Sequence, residues 1–292
     1  MGFGLDNVPR TPLCDIDLPN GVAPLIYHGS SRSSNLPNQW IALRLSDLVN
    51  FQKKEVRFNS REHLCNSYRI GFGSEIILSG VDHDHRIEPW WALGTERFTI
   101  IQKLVHLGIR LVSSPNFSLL LDNPRTDDMH AIKRIGLIFS EFQHVGLSCA
   151  LHPNGRTNKD FERWGKFISE RPEIQVLAYE FITGPARKER MQFHLDSLAH
   201  LATKAGRTLD IVVRGDPSVI PFLRRFYRSV VYIDTTAFMK TIKRQVAERT
   251  NNQTLDWKPK KTHPEESLAN HLEYNINEQV AFLKAAFYNE AI

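Results

Sequence analysis

From residue 75 onwards one pattern recurs: a short apolar run, a polar or charged tip, then apolar positions at helical spacing. It predicts strands over 76–81, 109–113, 147–151, 174–179, 209–213 and 230–233. Helices are predicted over 95–107, 127–145, 159–170, 187–204, 217–226 and 237–248, with Gly108, Gly146 and Gly206 placed where three of them stop. Six β-then-α units imply parallel strands with helices outside. Two earlier runs, 23–27 and 39–45, add enough strands to close an α/β, TIM-barrel-like (β/α) barrel. Ser46 is placed to cap a helix starting at Asp47. The alternative is an open doubly wound sheet, but no GxGxxG or GxxxxGK[ST] follows any strand.

The pattern divides the chain into four parts. Residues 1–45 form a loop-rich N-terminal segment able to supply the first strand or two. Residues 46–248 form the barrel-like domain. Residues 249–264 read as a polar, basic linker. Residues 265–292 form a C-terminal helix, its periodic pattern running over 264–289, whose stripe of Leu268, Leu272, Ile276, Val280, Leu283 and Phe287 must be buried. That stripe fits docking on the barrel or pairing in a homodimer.

Composition narrows this little. The 292 residues carry a net charge of +5 and a pI near 9.1, which favours an anionic partner such as nucleic acid or a nucleotide. No apolar run reaches the roughly 20 residues that cross a bilayer, and residues 1–15 lack a basic-then-apolar signal pattern. A cytoplasmic protein without a membrane partner is expected. Cys14, Cys65 and Cys149 lack CxxC spacing, so reduced thiols are expected rather than a cysteine metal site.

In parallel α/β folds the chemistry sits where strands end. The tips here hold Asp82, His83, Asp84 and His85; Asn116, Asp122 and Arg125; His152 and Asn154; Glu180; Arg214 and Asp216; and Asp234. Asp82, Asp84, Glu180 and Asp234 are the candidate catalytic carboxylates. Asn116, Ser118, Arg125, His152, Asn154 and Arg214 are suited to hold a phosphate or a base edge. Trp90 and Trp91, just past a tip, are placed either to stack on a base or to pack as core. A carboxylate ending an apolar strand needs a partner, and Arg214 on the next strand is the natural one for Glu180.

Three resemblances follow from these residues. The string SPNFS at 114–118, with DNPR at 122–125, resembles an uncharacterised family of phage and mobile-element proteins over about residues 75–245; the likeness implies a phage or plasmid setting and no activity. Early Asp82 and Asp84, late Asp234 and the basic stretch after it are similar in layout to tRNA-guanine transglycosylase barrels, although that family's Cys/His zinc site is missing. This likeness implies a transferase acting at a base–sugar bond, with Asp234 as nucleophile and Asp82 or Asp84 as acid/base. His83-x-His85 resembles the HxH of metal-dependent amidohydrolase barrels, which implies a hydrolase with a divalent metal on His83 and His85, helped by His152 and Asp234. Two tips where that family places His hold Glu180 and Arg214 instead. The first of these two activities needs no cofactor. A non-catalytic nucleic-acid-binding protein using the basic residues of 240–261 is the third expectation.

Overall fold

The computed structural model describes residues 2–120, 122–182, 184–186, 188–251, 254–263 and 266–288. Its strands are β1 (Gly21–Pro24), β2 (Trp40–Arg44), β3 (Glu75–Ser79), β4 (Ile109–Ser113), β5 (Cys149–Ala150), β6 (Val176–Phe181), β7 (Asp210–Gly215) and β8 (Val230–Asp234). They form two four-stranded parallel runs, β2-β3-β4-β5 and β6-β7-β8-β1. Single parallel bridges, Leu25 to Ala42 and Leu151 to Leu177, join the runs at both seams. The sheet therefore closes into an eight-stranded (β/α) barrel with helices outside, and no open sheet edge remains in it.

Side chains alternate across each strand, which creates two apolar layers. Ala23, Ala42, Ile77, Leu111, Val212 and Val231 belong to the lumen cluster. Their strand neighbours Val22, Ile41, Leu78, Val112, Val213 and Tyr232 pack against the outer helices. Ile16 and Leu18 join the lumen cluster from the N-terminal segment just before β1. They plug the base of the barrel, and the rest of the N-terminal segment supplies β1 and β2.

Four expected features differ. The segment read as a linker is an antiparallel hairpin, Gln245–Asn251 with Thr254–Pro259. It displaces the end of the predicted helix over 237–248, which stops at Ile242. The hairpin docks through buried Ala247, whose N–H donates to Asn275 Oδ1 at 2.9 Å. Ser46 does not cap a helix; its hydroxyl donates to Asp82. The predicted helix over 217–226 is a 3-10 turn, Pro217–Val219, followed by one α turn, Ile220–Leu223. The predicted helix starts at Arg187 and Pro264, and the end at Asn289, lie outside the described residues.

The C-terminal helix, Ala269–Phe287, docks on its own chain. Leu272, Ile276 and Leu283 are buried. Tyr288 donates to the carbonyls of Gly21 and Val230, both at 2.9 Å, pinning the helix end over the paired strands β1 and β8. The stripe offered for dimer contact is thus covered within the chain. Among the described residues, no helix is long and apolar enough to cross a membrane.

Candidate active site at the C-terminal end of the barrel

The loops after β4, β5 and β6 enclose a cavity of about 480 Å³ at the C-terminal ends of these strands. That is the size range of small-molecule sites. In β6, Val176 and Ala178 face the lumen, so alternation sends Glu180 inward at the strand's last turn and Tyr179 outward. The cavity folds over the strand end and touches both.

Glu180 is held by a chain of side-chain amides. Asn154 donates to Asn116 Oδ1 at 2.7 Å, and Asn116 donates in turn to Glu180 Oε1. Asn154 is itself anchored: its carbonyl accepts from Trp164 Nε1 at 2.8 Å, and its amide also donates to the carbonyl of Phe117 at 3.0 Å. Burial raises the Glu180 carboxyl above the usual carboxylate range. The Arg214 guanidinium and the Asn116 hydrogen bond pull it back, and the charge of Asp84 adds to the rise. Asp84 is exposed at the mouth and accepts from Ser118 Oγ at 2.6 Å.

The wall beside Glu180 is aromatic. His152 is 1% exposed and stacks on Tyr179 with centroids 5.3 Å apart. Neither ring nitrogen of His152 has a hydrogen-bond partner. Burial lowers its pKa to about 3, so the imidazole is neutral at physiological pH. Tyr179 Oη lies 2.7 Å from His194 Nδ1, and burial with the nearby Arg190 charge lowers His194 to about 4. Arg156 and Arg190 complete the polar lining, with Leu119, Leu120 and Pro185 as apolar flanks.

Of the residues expected at the site, the structure gathers Asn116, Ser118, His152, Asn154 and Glu180, while Asp84 lines a neighbouring cleft and meets the cavity through Ser118. The others lie elsewhere. Asp234 has the parity of Val230 and Tyr232, so it points out of the lumen. It is 1% exposed and accepts from the Ala237 N–H at 3.0 Å and from Gln279 Nε2 at 3.1 Å. A carboxylate sealed between a helix start and the C-terminal helix cannot reach a substrate atom, which corrects its expected nucleophilic role. Asp234→Asn should leave turnover within about 3-fold of wild type, since it touches no ligand; a rate assay with a matched melting curve checks this.

Asp82 is likewise consumed. It accepts from Ser46 at 2.6 Å and from the His83 N–H at 2.9 Å, and Arg44 and Arg86 lie 3.9 and 3.8 Å away. Arg214 donates to the Val81 carbonyl at 3.0 Å across the mouth. It is the register neighbour of Glu180 and acts on it through charge, without an ion-pair contact. Arg125 pairs with Asp128 at 3.0 Å and with Asp160, outside the cavity. Trp90 is core, stacked on Phe142 at 5.3 Å, and Trp91 lies under Arg97 and Arg134. Neither indole lines the cavity.

His83 and His85 are exposed and stack on each other at 5.8 Å where helix Asp84–Ala92 begins. His152 is buried against Tyr179 and Asp234 is sealed, so the expected ligand set does not converge. Among the described residues, no three His, Cys, Asp or Glu side chains group to hold a metal ion.

Sequence reasoning missed Tyr179, Arg156, Arg190 and His194. The last two stand i, i+4 on helix Lys188–Lys204, which read as an outer helix. Their spacing was visible, but the end of the barrel they approach was not.

No family model and no curated protein matches the chain. Among solved structures it is similar to tryptophan synthase subunit alpha from Legionella pneumophila str. Paris. The two are 13% identical, the match covers 93% of this chain and 94% of that one, and the TM-score is 0.42.

Proposed function

We propose that this protein is an enzyme working by general acid–base chemistry on a ligand of nucleotide size, with Glu180 as the proton donor. The observation that carries this reading is a lumen-facing carboxyl, raised by burial, braced by two asparagines and lining an open-mouthed cavity. The bond we assign is a base–sugar bond. Cleavage there uses two carboxyl groups of unlike environment, one protonated to assist the leaving group and one ionised to act on the sugar carbon or on a water. Buried Glu180 takes the proton-donor role and Asp84, whose charge acts on it, is the second carboxyl, replacing Asp234 and Asp82. An intact duplex does not enter 480 Å³, so the substrate is a single nucleotide or nucleoside, or a base turned out of its strand. Chromatographic detection of free base from a panel of nucleosides, nucleotides and oligonucleotides tests the assignment. Failure to release base from any of them sinks it.

The hairpin favours a second, compatible reading. Lys258 pairs with Glu248 and Arg249 with Glu278, while Lys243, Lys260 and Lys261 stay exposed. We expect these three to contact nucleic-acid phosphates, so that affinity for single-stranded oligonucleotide falls steeply with salt. Replacing all three by Gln should flatten that slope by about 2 to 3 units of d log K/d log[salt]. A filter-binding titration showing an unchanged slope removes the reading.

A further inference from the structure

We infer that the cavity selects a flat-ringed oxyanion, its negative group held by Arg190 and its ring set against His152. This rests on reading the cavity as the active site and names the chemistry of what enters it.

The charge balance of the lining points to an anion. Arg156 is tied down: its Nη1 donates to Asp128 Oδ2 at 2.9 Å and to the Leu120 carbonyl at 2.6 Å. Arg190 is different. Its Nη2 donates to the Arg156 carbonyl at 3.0 Å and its guanidinium lies 4.4 Å over the Phe193 ring. Among the described residues no carboxylate forms an ion pair with it. Other inward guanidinium groups are matched either by a carboxylate, as Arg97 by Glu141, Arg134 by Glu88 and Arg171 by Glu173, or by several backbone carbonyls, as Arg207 is; Arg190 has a single carbonyl. A guanidinium that lines a cavity without a carboxylate is fitted to an oxyanion brought by the ligand, which it binds through two parallel N–H groups.

The other anion-accepting places at this end of the barrel are filled by the chain itself. The Asp216 carboxylate accepts from the Ser218 N–H at 2.9 Å after β7, and Asp234 accepts from the Ala237 N–H after β8. These are the loops where many barrels hold phosphate. Here a carboxylate of the chain already takes a backbone donor in each loop, whereas Arg190 lines the cavity and is offered to the ligand's charge.

The ring preference comes from the aromatic wall. His152 and Tyr179 lie stacked and nearly parallel, at 18°, and Leu119, Leu120 and Pro185 flank the space. A neutral imidazole offers one donor and one acceptor. Those of His152 are buried and unmatched within the protein, whereas buried polar groups are otherwise paired. The two nitrogens point away from each other, so a heterocycle with a donor or acceptor on its edge would pair with one of them, which an aliphatic anion offering acceptors alone does only when that nitrogen carries the proton.

Isothermal titration of the full chain with uridine, uridine 5′-monophosphate, orotate and inorganic phosphate tests this. Wild type should bind at least one of the two ring-bearing oxyanions at least about 10-fold tighter than uridine and than inorganic phosphate. Which one binds tells whether the oxyanion is a phosphate or a carboxylate. Arg190→Gln should abolish the preference over uridine, and Arg190→Lys should restore part of it. His152→Phe should weaken the ring-bearing probes about 10-fold and leave phosphate unchanged. Equal binding of uridine and the oxyanions, no binding of either oxyanion, or an unaltered preference in Arg190→Gln overturns the inference. Glu180→Gln is the separating control. If it keeps full turnover while the Arg190 dependence holds, the catalytic reading fails and the ligand assignment stands.

Discussion

Replacing Glu180 with Gln is expected to cut turnover about 10²- to 10⁴-fold without unfolding the protein. Gln keeps the size of the side chain and can still accept from Asn116, so the amide chain through Asn154 survives. What is lost is the exchangeable proton. The sign of the stability change follows from linkage. The folded-state pKa of Glu180 is raised above its unfolded value, chiefly by burial. Its protonated form therefore supports the fold below the unfolded pKa, and that support is lost as pH rises through the folded pKa. Gln does not ionise, so at neutral pH the variant should melt at the wild-type temperature or above it. The same shift governs activity: a proton donor must hold its proton, so wild-type turnover should fall as pH rises through the elevated pKa. A Glu180→Gln rate within about 10-fold of wild type, beside an unchanged melting curve, would remove Glu180 from the chemistry.

The largest stability loss is expected at Asp160, which the sequence hides inside an ordinary helix start. Asp160 is fully buried and serves several donors at once. Its Oδ2 accepts from the N–H groups of Arg156 and Thr157 and from the Thr157 hydroxyl, all at 3.0 Å. Its Oδ1 takes the Arg125 guanidinium, with Arg163 3.6 Å away. Thr157 and Asp160 together close a capping box on helix Asn158–Ser169. Asp160→Ala leaves those donors unmatched and should cost about 3–5 kcal/mol, measured by urea unfolding. Burial alone would raise this carboxyl, but the Arg156 N–H, the Arg125 guanidinium and the Thr157 hydroxyl together hold it below its ordinary value. Its support is thus present above the unfolded pKa and lost as pH falls through the folded one. The variant should show a shallower loss of stability in acid than wild type. Because the Arg156 backbone is part of the cavity wall, KM should rise more than kcat falls. An Asp160→Ala protein as stable as wild type would mean the network is not formed in solution.

How legible the site was depended on distance along the chain. Asn116, Ser118, His152, Asn154 and Glu180 were found because each lies at its strand's C-terminal end or in the loop just after it, and in a parallel barrel every such position lies at the same end. Arg190 and His194 were not, because they belong to a helix and approach the cavity only through its tilt and packing. The acids gave the opposite error. Asp82, Asp84, Glu180 and Asp234 look alike in sequence, each an acid at a strand end. Their fates were set by partners far off: Ser46 for Asp82, Ser118 for Asp84, Asn116 for Glu180, and Gln279 for Asp234.

The alternation of apolar runs with helical periods determined by itself that the strands are parallel and the helices lie outside, because local chain geometry allows few other ways to bury such runs. It did not determine which side of each strand faces the lumen. In β8, Val230, Val231, Tyr232 and Ile233 are apolar on both faces, as a strand covered on both sides requires. Only closure of the barrel, with the C-terminal helix laid over β1 and β8, decided that Asp234 is sealed away while Glu180 opens into the cavity. That choice rests on contacts between residues tens of positions apart, and no local pattern records them.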